Sequence, residues 1–347
     1  MGNEYSAIAA KLRAMHARFL TEKDYEALLA GKSVNDICAY LKNTDGYSDV
    51  LENVNEREIH RGVMELLLEQ DIMEEYVRLY NFADRPLRRL LNFWFIQREG
   101  EFIKRELRHI YTKEARTRDE VSQGRFDAFF ETHTKINREI MQNATSLDDC
   151  IKACGHTPYA EPLKRAQSVG ADFFSLGMML DVFLYTRIWR EAHKSLKGEQ
   201  ITLFEQLIGS NIDMMNLMWI YRGKKYYDFP SEIIFTYLFP IRHRLSEDII
   251  RRLVNADSME QLVSLVRSET VYGGLFDDLE SGRFPEENHR VIYNGISKRI
   301  FVNNSQSFAA MFAYLNLKEA EIGNITTITE GVRYGLNTEA IRAHVRL

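Results

Sequence analysis

Three carboxylates recur at matching places along the chain, Glu101, Asp213 and Glu321, each followed three residues on by Lys104, Asn216 or Asn324. Repeated acids are the raw material of general acid–base chemistry, provided that they converge on one cleft. These three belong to different thirds of the chain, so equivalent packing would set them in equivalent but separate places. A structural role is therefore expected for them, pairing with a nearby cation or capping a helix, and no catalysis is assigned. Cys150 and Cys154 stand at i and i+4, a spacing that puts two sulfurs on one helical face as a metal site would need. Their counterparts elsewhere in the chain are Ile37 and Leu41, then Leu262 and Val266, so both are expected to be small buried apolar residues. Nine histidines are scattered without an H-E-x-x-H motif, and His60 and His109 are expected to be polar or partly buried helix positions. Neither a G-x-x-x-x-G-K-[ST] loop nor a G-x-G-x-x-G turn after a strand is present. No catalytic residue, cofactor site or metal site is expected.

The elements that must position these residues are written three times. SVNDICAYLKNTDGYSDVL from Ser33 returns as SLDDCIKACGHTPYAEPL from Ser146 and as SMEQLVSLVRSETVYGGLF from Ser258, the serines standing 113 and then 112 residues apart. Three places after each Ser comes Asp36, Asp149 or Gln261, the pattern that closes a helix N-terminus by reciprocal bonds to orphan backbone N–H groups. Positions four, seven and eight after the Ser share a helical face. They read Ile37, Tyr40, Leu41, then Cys150, Ala153, Cys154, then Leu262, Leu265, Val266, and all nine suit burial. An aromatic anchor follows at Tyr47, Tyr159 and Tyr272, with Leu51, Leu163 and Phe276 four residues later. Before the first and third copies, LTEKDYEALLAGK and LSEDIIRRLVNAD align without a gap, with Thr21 and Ser246 as further caps. INREIMQNAT holds that place in the second copy, where Met141 stands opposite Leu28. Long helical tracts follow each tyrosine, at 56–78, 171–196 and 286–303. The acids close each unit 68, 67 and 63 residues after its serine.

Six prolines and 19 glycines in 347 residues leave long helix-compatible stretches, so the chain reads as all-α, with Pro86, Pro230, Pro240 and Pro285 expected in the connections. A period of 112–113 residues exceeds that of a solenoid repeat and points to three compact helical domains about a pseudo-threefold axis. They are expected at 1–120, 121–238 and 239–347, with boundaries near Arg116–Gly124 and Asp228–Arg242. A net charge of −5 suggests no nucleic-acid partner. An odd cysteine count suits a reducing compartment, the N-terminus has no apolar leader, and the most apolar window, Ala171–Trp189, is interrupted by Asp172, Asp181 and Arg187. A cytoplasmic protein without direct membrane insertion is expected.

Two basic stretches stand out. Over 83–119 ten Lys or Arg face six acids, including Arg105 and Arg108, and YRGKKYY follows Trp219 with Tyr221, Arg222, Lys224 and Lys225. Basic runs are usually solvated helix faces. Their aromatic neighbours, Trp219, Tyr221, Tyr226 and Tyr227, make a docking surface for an acidic protein partner the sharper reading.

The two ends of the chain, AKLRAMHARFLTEKDYEALLAGKSVNDICAYLKNTDGY at 10–47 and YLNLKEAEIGNITTITEGVRYGL at 314–336, resemble the terminal signatures of the C subunit of the V/A-type ATPase, the counterpart of the d subunit of the eukaryotic vacuolar enzyme. The second unit, with Gly155, Pro158 and Pro162 shortening its capped helix, matches that pattern less sharply. The resemblance implies a funnel of three similar helical domains on the cytoplasmic face of the membrane rotor ring, receiving the central shaft of the soluble motor. It implies a non-catalytic adaptor of the central stalk that couples shaft and ring in proton or sodium transport. The repeat by itself would also allow a helical scaffold for some other protein. A third class would be a helical-bundle enzyme with buried carboxylates, as in di-iron proteins.

Overall fold

The computed structural model describes residues 4–56, 59–113, 125–279 and 284–345, the side chains of 125 and 126 excepted. Among the described residues every regular element is helical and there is no strand. The boundary expected near residue 120, with Arg116 and Arg118 of the basic stretch, lies outside them. The first copy holds α1 (Glu4–His16), α2 (Glu22–Leu29), α3 (Val34–Leu41), α4 (Ser48–Leu51), α5 (Arg61–Phe82) and α6 (Arg85–Thr112). The second holds α7 (Arg125–His133), α8 (Arg138–Gln142), α9 (Leu147–Ala153), α10 (Ala160–Ser168), α11 (Phe173–Ser195), α12 (Glu199–Phe204), α13 (Ser210–Lys225) and α14 (Ser231–Tyr237). The third holds α15 (Glu247–Val254), α16 (Met259–Glu269), α17 (Pro285–Asn303), α18 (Phe308–Arg333) and α19 (Thr338–His344).

Local chemistry starts the repeated helices in the same way. Ser33, Ser146 and Ser258 are N-caps in extended backbone, with φ of −150°, −142° and −143°. Their hydroxyls accept from the N–H groups of Asp36, Asp149 and Gln261 at 3.1, 3.3 and 3.2 Å. The return bond falls in every copy on the residue before the serine, from Lys32, Thr145 and Asp257 N–H. In the second copy it also closes on the serine's own N–H, at 3.2 Å. Thr21, Asn137 and Ser246 cap the helices in front. Seven of the nine stripe residues are buried, while Tyr40 and Leu265 are half-buried. Pro86 and Pro285, expected in connections, stand in the first turns of α6 and α17, where a missing N–H breaks no helical bond.

The chain forms two compact units. One takes in Met1–Arg88, Asp119–Phe130 and Asn294–Leu347. Its spine is α18, against which α1, α2, α3, α5 and α19 pack. Sixteen of the 26 residues of α18 are buried, so this helix is apolar on nearly every side and can be stable only inside a bundle. Gly331 is required there, because a Cβ would stand 2.5 Å from Ile341 of α19.

The other unit takes in Arg89–Arg118 and Glu131–Tyr293. Met214, Leu217 and Ile220 of α13 meet Leu253, Val254, Leu262, Val266, Tyr272 and Phe276 of the third copy in one core. Burying each such leucine stabilises the fold by about 2 kcal/mol. A π turn, Glu205–Gly209, joins α12 to α13. Gly209 in that turn admits the His243 ring, which a Cβ would meet at 2.7 Å, and so lets the 243–244 backbone come down onto α13. In both units a closing helix thus packs on the capped pair of the copy that follows it, and α18 of the last copy serves the first.

Candidate functional site

The repeated chemistry resolves into three tyrosine–carboxylate staples. In the first, Glu321 of α18 accepts from Tyr47 hydroxyl at 2.7 Å and from Leu20 N–H at 2.7 Å. In the second, Glu99 of α6 accepts from Tyr159 hydroxyl at 2.5 Å and from Thr134 hydroxyl at 2.7 Å. In the third, Asp213 of α13 accepts from Tyr272 hydroxyl at 3.0 Å and from Arg244 N–H at 2.6 Å. The plan is constant: one carboxylate ties the chain just before the first cap to the tyrosine after the second. The anchors expected at Tyr47, Tyr159 and Tyr272 are 0, 1 and 2% exposed, which is what makes an unmade bond there expensive.

One register differs from the sequence reading. Glu101, expected to match Asp213 and Glu321, points outward with its side chain 52% exposed and pairs with Arg98 at 3.0 Å. The matching acid is Glu99, two residues earlier. Its signal was present in the sequence, since Glu99 stands on one helical face with Phe95, Ile96, Phe102 and Ile103, all buried, while Glu101 shares a face with Arg98 and Lys104. An acid inside an apolar stripe needs buried donors.

The electrostatics follow from this burial. Burial pushes the Glu99 carboxyl above its ordinary range, against the pull of its two hydroxyl donors. Burial likewise raises Asp213, against the pull of Arg244 N–H and Tyr272. Burial first, and then the adjoining carboxylate, hold the Tyr47, Tyr159 and Tyr272 hydroxyls above the usual phenol range. A network surrounds the first staple. Lys318 Nζ lies 3.0 Å from Asp71, 3.2 Å from Glu321 and 3.9 Å from the Tyr47 ring centre. Tyr314 donates to Glu75, whose carboxyl is also raised by burial. Each staple acid is engaged by donors of its own, an arrangement suited to holding helices together.

The surface residues divide. Arg105 and Arg108 of α6 and Lys225 of α13 are exposed, with Arg105 lying over Phe102 at 5.6 Å. Tyr221, expected at the surface, is 7% exposed and stacks on Phe276 at 5.1 Å, because its side of α13 faces the core. Lys224 is half-buried and donates to the Ala256 carbonyl at 2.9 Å, so it holds the end of α15. Trp219 is half-buried against Phe174 at 5.3 Å, and Arg222 covers it at 5.5 Å while pairing with Glu286. Tyr226 and Tyr227 are 58 and 47% exposed. Cys150 and Cys154 are buried thiols, and burial pushes the Cys154 thiol up to about 12. Among the described residues no group of three His, Cys, Asp or Glu could hold a metal ion, and no helix is long and apolar enough to cross a membrane.

Comparison with known families decides the kinship. The model of the ATP synthase (C/AC39) subunit family matches residues 8–344. The chain belongs to this family. Among relatives, the C subunit of the A-type ATP synthase of Thermococcus kodakarensis is 23% identical, over 98% of this chain and 90% of that protein. The protein of the same name from Pyrococcus horikoshii is 25% identical over 97% and 89%, and that of Archaeoglobus fulgidus 22% over 97% and 94%. The C/AC39 match therefore runs through all three copies, the second included.

Proposed function

We propose that this protein is the non-catalytic adaptor of the central rotor in a V/A-type ATPase or ATP synthase. In that role it couples the shaft of the soluble motor to the membrane rotor ring as protons or sodium ions cross. The observation that carries this reading is the C/AC39 family match over 8–344, joined by relatives named as the C subunit of A-type ATP synthases along nearly their whole length. The staples support it, because transmitting torque needs a body whose helices resist shear. Each staple locks a closing helix to two points of the next copy with charge-assisted bonds in a buried setting. On this reading the three copies, bounded near 120 and 238, are three similar domains arranged as a funnel. The protein sits on the cytoplasmic side, attached to the membrane only through the complex. Arg105, Arg108, Arg222 and Lys225 are its candidate partner contacts, with Trp219 supporting Arg222, and Tyr221 and Lys224 holding the helix behind them.

The test is co-purification of the chain with the shaft proteins and, separately, with the detergent-solubilised rotor ring of the same organism, read by native mass spectrometry. One copy bound per shaft and one per ring is the expected result. A folded chain that binds neither, under conditions in which an established family member binds its own partners, overturns the adaptor role and leaves only the fold.

A further inference from the structure

The three staples are not alike in charge. Glu99 and Asp213 are held by hydroxyls and backbone N–H groups. Glu321, in the unit that joins the two ends of the chain, stands instead in a charged cluster. Asp71 and Glu75 of α5 and Lys318 and Glu321 of α18 are 4, 4, 2 and 4% exposed. Lys318 Nζ bridges the two helices, 3.0 Å from Asp71 and 3.2 Å from Glu321. Glu75 accepts from the Tyr314 hydroxyl of α18 and, at 3.2 Å, from Arg78 of its own helix, whose side chain is a quarter exposed.

The charges of this cluster do not balance. Three carboxylates meet two cations, Lys318 and Arg78, which leaves one negative charge in excess where little water reaches. Asp49, which Arg78 and Arg18 also meet, is largely exposed, so its charge is left to water. His16 of α1, facing Glu321, is held below the usual imidazole range by burial, and burial keeps the Tyr47 and Tyr314 phenols protonated, so none of the three supplies the missing charge at neutral pH. Asp71 and Glu75 stand one turn apart on one face of α5, a spacing at which like charges repel. A staple does not require such a cluster, since Glu99 and Asp213 manage without one, and packed apolar side chains between α5 and α18 would hold the helices at least as well. One proton on the Asp71 and Glu75 pair removes the excess. Burial, first, lifts the Glu75 carboxyl above its ordinary range and the Asp71 charge adds to this, against the pull of Tyr314, Lys318 and Arg78.

We propose that Asp71 and Glu75, facing Lys318, form a proton-held clamp between α5 and α18. With one proton on the pair the cluster is neutral and α5 lies closed on α18. Without it two adjacent carboxylates compete with Glu321 for Lys318 and Arg78, and α5 loosens. Because α18 is also the helix that holds α1, α2 and α3, the clamp sets by pH how firmly the two ends of the chain are joined. The closed state binds one proton more than the open state between the ordinary carboxyl range and the raised value of the pair. Closure is therefore tightest below that window, weakens as pH rises through it and levels off above it. The clamp does not depend on the adaptor role.

The experiment uses the full chain and two readouts. Amide hydrogen exchange along α5, corrected for the intrinsic rise of exchange with pH, reports its opening. In wild type the opening constant is expected to climb by up to about 10-fold per pH unit within the window, the limit set by one proton. In Glu75→Gln, which is neutral at every pH, it is expected to stay flat. Carboxyl carbon resonances of glutamate-labelled chain report the proton itself and need no variant to be seen. A resonance that titrates above the ordinary range, vanishes in Glu75→Gln and moves down in pH in Asp71→Asn is expected, alongside the one from Glu99. The same pH dependence of α5 exchange in wild type and Glu75→Gln overturns the clamp. So does a spectrum in which Glu99 alone titrates late, or a Glu75 midpoint that Asp71→Asn leaves in place.

Discussion

Glu99 and Glu101 are two residues apart on one helix and do opposite work. Glu99 is 8% exposed and accepts from Tyr159 and Thr134, whereas Glu101 is half in solvent with Arg98 for company. Glu99→Ala is expected to cost about 3 kcal/mol in urea unfolding, because two buried hydroxyls lose their acceptor, and Tyr159→Phe about 1.5–3 kcal/mol. Glu101→Ala is expected to stay within about 0.5 kcal/mol of wild type. Equal effects at 99 and 101 would remove the staple from the account of this fold. The acid–base behaviour adds a second test. The folded value of Glu99 lies above its unfolded one, so between the two the folded state binds the extra proton, and stability falls as pH rises through that window. Glu99→Gln abolishes this titration while keeping an acceptor for Tyr159. The stability of wild type minus that of Glu99→Gln should therefore decrease with rising pH above the ordinary carboxyl range, and a flat difference would contradict the raised value. Asp149, held down at about 2 chiefly by its bond to Ser146, acts in the opposite sense, and its contribution is lost as pH falls.

The elements were legible where local chemistry decides them. Ser33, Ser146 and Ser258 announce their helices by a bond three residues long, and the structure makes all three. Replacing Ser258 by Ala should cost about 1 kcal/mol, with Ser258→Asp recovering most of it, as followed by thermal unfolding. If the alanine variant unfolds at the wild-type midpoint, the cap carries nothing. The Glu99 register was legible only in part, because placing an acid on α6 requires knowing which face meets the core, and the acid-rich run REGE offers two choices two residues apart. Tyr221 was misplaced for a related reason. In YRGKKYY the charged neighbours suggest a surface, yet position 221 turns toward Phe276, and only the core of the third copy reveals it. The partners of the carboxylates, Leu20 N–H, the Thr134 hydroxyl and Arg244 N–H, carry no sequence signal, because neither a backbone donor nor a lone hydroxyl reveals its acceptor until the chain around it is folded.

At the scale of the whole molecule the sequence repeat and the packing are out of step by one helix. Tyr47 of the first copy is stapled by Glu321, 274 residues away, and α2 and α3 rest on α18. Residues 1–120 taken as a fragment would therefore leave Leu28, Leu41 and Tyr47, now 0% exposed, facing water without their spine. That fragment should show weak helical circular dichroism and no cooperative transition, and addition of a 294–347 peptide should restore both. Residues 89–293, by contrast, contain two complete staples, Glu99 with Tyr159 and Asp213 with Tyr272, together with the core around α13. That fragment should unfold cooperatively on its own. Cooperative folding of 1–120 alone would mean that each sequence copy is self-sufficient and that Glu321 merely decorates a domain already stable. Its absence, with rescue by the C-terminal peptide, would mean that the ends of the chain hold each other, as the Tyr47–Glu321 and Leu20–Glu321 bonds require.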